Sequence, residues 1–383
     1  MATSAGKITE QGVARLKERI GAYYRGGQST RVLGRDLIRM YALDMGERNP
    51  LYLDEEYARA TRYGCLIAPP TILHHVKGTS GTSVGGLPGV QAFHGGSDWE
   101  WFHALRLGDR IGATYRPYDV VEKKSSYAGR MVIVYAELLY RNQLDQVVAR
   151  TKGWSVRTER QSAAGQGKYA TVEKPRYTEE QLGEIWRVAN RVEVRGTTPR
   201  YWEDVQEGDE LPPVVKGPLR LVDIAFSGPG PGETVGAGAY TRGAHWYTLE
   251  QFRTHPGYAE EHGATGVPDH PHRGHWEDDM ARRLGLPGAY DLGPQRGAWL
   301  SQLVTNWMGD DGFLSRLYFE LRLFNVEGDT SWVKGKVTTK WVEGQRHLVR
   351  VDLSCINQRG EDTAPGYAEV VLPCRNGPSE VPL

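Results

Sequence analysis

Residues 52–64 read YLDEEYARATRYG, and residues 274–285 read GHWEDDMARRLG. Setting Tyr52 on His275 brings Ala58 onto Ala281 and one acidic run onto the other, an offset of 223 residues. A second echo follows downstream. LRLGDRIGATYRPYDVVEKK at 105–124 matches LFNVEGDTSWVKGKVTTKWVEG at 323–344, with Gly108-Asp109 on Gly328-Asp329 at an offset of 220. Two echoes in the same order at nearly one offset indicate a duplicated domain.

Each copy has the same coarse order. A short helical segment with an acidic head comes first, and Val- and Tyr-rich stretches bounded by turn residues follow. RMVIVYAELLY (130–140) and VVARTKGWSVR (147–157) read as strands in the first copy. SRLYFELRLFNV (315–326), WVKGKVTTKWV (332–342) and HLVRVDLSCIN (347–357) read as strands in the second. Asn142-Gln143 and Gln358-Arg359-Gly360 stand where hairpin turns belong. Gly293-Pro294 reads as a helix start, because proline fits the first helical turn, and LGPQRGAWLSQLVTNW continues it. Trp299 and Trp307 share a face of that helix and read as core. The pattern is α+β, a sheet wrapped around one long helix in each copy.

The expected division is 1–157 for the N-terminal copy, 158–194 for a linker, and 195–383 for the C-terminal copy. RQSAAGQGKYATVEKPRYT (160–178) is polar and Gly/Ser-bearing, and Thr178 before Glu179-Glu180-Gln181 is a helix N-cap signal. Leu182, Ile185, Trp186 and Ala189 make an apolar stripe on the helix that follows. The second copy carries an insertion at about 227–268. Asp36 precedes Tyr52 by 16 residues, whereas Asp223 precedes His275 by 52. The insertion contains SGPGPGETVGAGAY (227–240), a composition suited to a binding loop or an irregular surface loop.

The bulk numbers narrow the function. Lys+Arg and Asp+Glu are both 47 in 383 residues, so there is no net positive charge to favour a nucleic-acid partner. No apolar run reaches the length of a membrane span, and the first 19 residues lack the apolar core of a secretory signal. Cys65, Cys355 and Cys374 are widely spaced, which suits reduced thiols in a cytoplasmic protein.

MGERNPLYLDEEYARA in the first copy and HPHRGHWEDDMARRLGLPGAYDLG in the second carry a recognisable pattern. It resembles the motif of the MaoC-like hydratase/dehydratase family: Gly-Asp-x-Asn-Pro-(Ile/Leu)-His, then an acidic residue, then Ala, with a Gly further on. The resemblance spans about 30–157 and about 195–373. It implies a double hotdog, two tandem hotdog domains in one chain, in which one half keeps the catalytic pair. The implied reaction is reversible hydration of a 2-enoyl-coenzyme A thioester to the (R)-3-hydroxyacyl form. The implied partner is the acyl-CoA substrate, with no cofactor beyond the coenzyme A that the substrate carries, no metal, and further pairing into a homo-oligomer. Water addition needs a base, an acid for the α-carbon and a donor for the enolate oxygen.

Carried over residue by residue, the first copy has Glu47 for the motif Asp and Tyr52 for the motif His. A phenol is a poor base at neutral pH. IAPPTI puts Pro69-Pro70 where a backbone donor is required, and proline has no N–H. The first copy therefore reads as non-catalytic. The second keeps His275 and Gly293. The motif Asp lies five residues before its His, a position held here by His270, with Asp269 one residue earlier. The expected catalytic set is His275, Asp269 and Gly293, with His270 itself or Glu233 of the insertion as other sources of the acid. His270, His245 and Arg296 are expected to contact substrate, Arg296 through a phosphate or carboxylate or else as a structural ion pair. His270, His272, His275 and Asp269 could also be read as metal ligands, but the resemblance explains His275 without a metal. Two other functions stay open: a hotdog thioesterase, and an acyl-thioester binding or scaffold protein that has lost its chemistry.

Overall fold

The computed structural model describes residues 6–25, 31–77, 87–125, 129–159, 172–225, 250, 252–254, 257, 259–269, 271–377 and 379–383. His245, His270, Glu233 and the Gly/Pro-rich stretch 227–240 lie outside them, as does most of the expected insertion.

The N-terminal half contributes β1 (Tyr24–Arg25), β2 (Arg31–Val32), β3 (Gln91–Trp101), β4 (Arg110–Ser125), β5 (Gly129–Arg141) and β6 (Val147–Thr158). The C-terminal half contributes β7 (Val214–Lys216), the two-stranded ribbon β8 (Glu260–Glu261) and β9 (Pro268–Asp269), and then β10 (Phe313–Glu320), β11 (Ser331–Glu343), β12 (Arg346–Asn357) and β13 (Gly366–Leu372). All but the ribbon join one antiparallel sheet in the order β1-β4-β5-β6-β3-β10-β13-β12-β11-β7, with β2 also on β4. Four strands from each half lie in mirrored order about the β3–β10 seam. The offset of 220 carries Asp98 onto Tyr318, and those two residues face each other at that seam.

Local irregularities repeat at the same offset. A register shift falls between Pro117 and Asp119 in β4 and between Val337 and Thr339 in β11. Another falls between His94 and Gly96 in β3 and between Leu314 and Arg316 in β10. The Gly-Asp turns match too: Gly108 and Gly328 both have φ +91°. Asp109 Oδ2 accepts from Arg106 N at 2.8 Å, and Asp329 Oδ2 accepts from Val326 N at 3.0 Å. Bulges and left-handed turns demand specific residues, so their recurrence marks true duplication. The fold is a double hotdog.

The strands and hairpins follow the sequence reading except in the stretch 315–326. Strand β10 ends at Glu320, because Arg322 N bonds to the Thr363 carbonyl and the chain turns towards the Asp329 turn. The helix Gly293–Met308 carries fourteen buried residues and packs against β10, β11, β12 and β13. Its N-terminal counterpart is the short 3-10 turn Pro70–Ile72 followed by the helix Leu73–Val76. One apolar core joins the two halves, from Trp99, Leu138 and Tyr140 to Leu300, Val304, Phe319 and Val351. Thr178 caps the bridging helix Glu179–Asn190 with a full capping box, but only Ile185 is buried and Trp186 is 56% exposed. Cys65, Cys355 and Cys374 are free thiols. Among the described residues no helix is long and apolar enough to cross a membrane.

Candidate active site

The motif segments sit at matching places on the sheet. In the first half, Asn49 Oδ1 accepts from Leu51 N and starts the helix Pro50–Leu53, and Asp54 caps the next one, Glu55–Arg59. In the second, a 3-10 turn Pro271–His275 leads to the helix Asp278–Arg283. Isolated bridges then tie Ile67 to Arg106 and Tyr290 to Val326, and Ala68 N and Asp291 N bond to the carbonyls of Leu105 and Asn325. This alignment makes Tyr52 the counterpart of His275, and Pro70 the counterpart of Gly293.

His275 is buried, with 8% of its surface exposed. Its Nδ1 donates to the Tyr290 carbonyl at 2.8 Å, and its ring lies 4.1 Å from the Tyr290 ring. A carbonyl can only accept, so Nδ1 carries the proton and Nε2 keeps its lone pair. Burial pushes the imidazole down to about 4, against the raising effect of the Tyr290 and Asp291 backbone. His275 is therefore neutral across the physiological range, with its tautomer and orientation fixed.

Gly293 opens the long central helix, where unsatisfied backbone N–H groups and the helix dipole favour negative charge. A Cβ here would come within 2.4 Å of Leu321 Cδ1 and 2.8 Å of His94 Nδ1, so no side chain fits without displacement. Asp291 and Arg296 lock the segment before and after it. The guanidinium donates to the carbonyls of Leu323 (2.6 Å) and Thr363 (2.8 Å) and to Asp291 Oδ1 (3.2 Å), and its Nε lies 2.9 Å from Asp291 Oδ2. Arg296 is only 2% exposed, so the substrate contact expected of it gives way to a structural ion pair. Burial raises the Asp291 carboxyl, and Arg296 opposes the shift.

The expected pairing of Asp269 with His275 does not form. Asp269 is held in the β8–β9 ribbon opposite Glu260, and among the described residues no carboxylate hydrogen-bonds to the His275 ring. His272 lies beside His275, with ring centres 5.1 Å apart.

The sequence reading missed a contribution from across the seam. Phe93 of β3 packs its ring against Tyr290 (6.5 Å) and Phe324 (5.3 Å), and the next residue, His94, lies against Gly293. Both belong to the N-terminal half. The offset of 220 maps them onto Phe313 and Leu314, which line a cavity with Asn49, Tyr52, Pro70 and Thr305 at the N-terminal motif. Each motif is thus completed by the first long strand of the other half. That signal was present in the repeat, but it becomes readable only once the two strands are known to pair.

The N-terminal site keeps buried polar groups around a phenol at the motif-histidine position. Tyr52 is buried and shares its cavity with Thr305, and burial raises its phenol well above the ordinary range. Glu47 is buried beside Lys216 and Gln302. Burial pushes its carboxyl up to about 7, and it pushes the Lys216 amine down to about 8.

The fold and the paired motifs define a hotdog protein, and comparisons with known proteins agree. The model of the FAS1-like dehydratase domain region matches residues 18–151. A UPF0336 protein from Streptomyces avermitilis is 32% identical over 106 residues, covering 26% of this chain and 68% of that protein. A protein from Thermomonospora curvata described as "Probable enoyl-CoA hydratase alpha subunit" is 30% identical over 135 residues, covering 31% of this chain and 42% of its own length. Among solved structures, a MaoC-like dehydratase superposes with TM-score 0.63 at 17% identity, over 94% of this chain and 99% of that one. A conserved hypothetical protein from Mycobacterium tuberculosis with a double hotdog fold superposes with TM-score 0.51 at 11% identity, over 93% and 97% of the two chains. Residues 18–151 belong to the FAS1-like dehydratase domain family, and the chain as a whole has the double hotdog fold. The family match falls on the half that carries Glu47 and Tyr52 at its motif positions.

Proposed function

We propose that the protein catalyses reversible hydration of a 2-enoyl-coenzyme A thioester to an (R)-3-hydroxyacyl-coenzyme A, in the C-terminal site. The observation that carries this is the neutral, orientation-locked His275 next to a helix that starts at Gly293. Nε2 takes a proton from water as its oxygen attacks C3, and the electrons of the double bond move to the thioester oxygen. The Gly293 N–H and the helix dipole stabilise that oxygen. The imidazolium so formed is strained by its burial, which drives its proton back out onto C2. Tyr290 orients the ring through Nδ1 throughout.

The family relationship supports a dehydratase over a thioesterase, and the "enoyl-CoA hydratase" description of one relative supports the choice of substrate. The test is hydration of a panel of 2-enoyl-coenzyme A thioesters, followed by loss of absorbance of the conjugated double bond, with chiral analysis of the product. Wild type should turn over, and His275→Ala should lose on the order of 100-fold or more in kcat. A panel in which nothing reacts, or a His275→Ala variant of unchanged rate, sinks the reading.

A further inference from the structure

We propose that the N-terminal half holds a second, separate binding site, for an uncharged and largely apolar molecule that carries one hydroxyl or carbonyl group. The site is the cavity at the N-terminal motif. It offers about 460 Å³ of space, within the roughly 300–1,000 Å³ of small-molecule sites. Trp101, Met308, Phe313 and Leu314 give it apolar walls, and Asn49, Tyr52 and Thr305 supply three polar side chains, each 2% exposed. Apolar walls with a few buried polar groups bind a ligand by its body and orient it by its head. Occupancy of this cavity is independent of the chemistry at His275.

The cavity is not an arm of the C-terminal site. Gly293 opens the central helix, and Thr305 lines the cavity near the other end of that helix. The twelve residues between them span about 18 Å of α-helix. Along that span Gly297 is packed against the Phe319 ring, and Leu300 and Val304 are fully buried. A molecule seated at Tyr52 is therefore apart from the base at His275. With a phenol and Pro70 at the motif positions, it is held without being turned over.

The surrounding charges select an uncharged head group. Tyr52 lies near the carboxyls of Glu47 and Asp310, and both add to the upward shift of its phenol. Glu47 is balanced by the buried Lys216 amine. Asp310 is 3% exposed, its Oδ2 accepts from the Tyr57 hydroxyl at 2.6 Å, and among the described residues no cation pairs with it. A carboxylate seated beside Tyr52 and Thr305 would face that charge in a medium of low dielectric. The cations around Tyr63, another lining residue, are already committed. Arg62 donates to the carbonyls of Asp311, Val381 and Pro382, and Arg106 donates to that of Tyr63. His103, which also lines the cavity, has its Nδ1 3.3 Å from Leu383 O. A hydroxyl or carbonyl group instead finds neutral partners in the phenol, the Asn49 amide and the Thr305 hydroxyl.

The experiment titrates the full chain with octan-1-ol and with octanoate at about pH 8 by isothermal titration calorimetry, and circular dichroism melts confirm that each variant folds. Wild type should bind one octan-1-ol saturably and octanoate at least about tenfold more weakly. Tyr52→Phe and Thr305→Val, which keep the shape of the cavity, should each weaken octan-1-ol about three- to tenfold, the worth of one hydrogen bond. Asp310→Asn should bring octanoate within about threefold of octan-1-ol. His275→Ala should bind octan-1-ol as wild type does, which keeps this test apart from that of the hydratase reading. The proposal is overturned if octan-1-ol shows no saturable binding, if octanoate binds as tightly, or if Tyr52→Phe and Thr305→Val both leave the affinity unchanged. An Asp310→Asn variant that still rejects octanoate overturns the selection by charge. Loss of binding in His275→Ala would put the ligand at the C-terminal site and overturn the separate cavity.

Discussion

Where the C-terminal half has His275, Asp291, Gly293 and Arg296, the N-terminal half has Tyr52, Ala68, Pro70 and Leu73 at the same positions of the fold. The backbone is shared down to its bridges and bulges, while the chemistry diverges. In the C-terminal half a buried ion pair brackets the helix start and leaves it with an N–H donor. In the N-terminal half a buried alanine and leucine fill the same space by packing, and a proline removes the donor. Duplication thus let one copy specialise its motif loop while both kept the strand that completes the other's site.

The largest effect expected from this comparison is at the ion pair. Asp291→Ala leaves the Arg296 charge buried without its partner and should cost about 3–5 kcal/mol in denaturant unfolding. The double variant Asp291→Ala/Arg296→Leu, which installs the N-terminal arrangement, should recover much of that loss, because packing replaces a desolvated charge pair. A double variant as unstable as the single would break the equivalence drawn between the halves.

A smaller effect is expected at the helix start. Gly293→Ala pushes a methyl into Leu321 and His94 and should cost about 1–3 kcal/mol. Pro70→Ala at the matching position should cost less than about 1 kcal/mol, mostly through a more flexible unfolded chain. Thermal melts of the two variants side by side check the ordering, and equal losses would contradict it.

The smallest effect is in the pH dependence, and it sharpens the contrast in another direction. Burial lowers His74 well below its ordinary value, His75 to about 3, and His94 and His275 to about 4. Three of these four lie in the N-terminal half. A depressed imidazole binds its proton more weakly in the folded chain than in the unfolded one. The stability contributed is therefore full above about pH 6.5 and is lost as pH falls from there towards 4. Both ring nitrogens of His74 are buried without a hydrogen-bond partner among the described residues, next to Trp99. His74→Leu should therefore reduce the slope of stability between pH 6 and 5 by about 1.4 kcal/mol per pH unit, the value for one proton. Melts across that range decide it; an unchanged slope would show that His74 titrates normally.

The sequence by itself determined the duplication, the α+β class, the family and the roles open to His275 and Gly293. These rest on local chemistry: a repeated Gly-Asp turn, a Pro at a helix start, an alternation of apolar residues, and a phenol where a base is needed. It left Arg296 open between a substrate contact and an ion pair and overran the end of the strand at Glu320, because the carbonyls that hold Arg296 and the bond that ends the strand lie more than twenty residues away along the chain. The tertiary structure alone decided that His94 meets Gly293. Two residues 199 positions apart come together only because β3 and β10 pair at the seam, and that pairing is a property of the folded sheet. It also decided that Asp269 is held in a ribbon away from a hydrogen bond with His275, since spacing along the chain does not fix where an inserted segment docks.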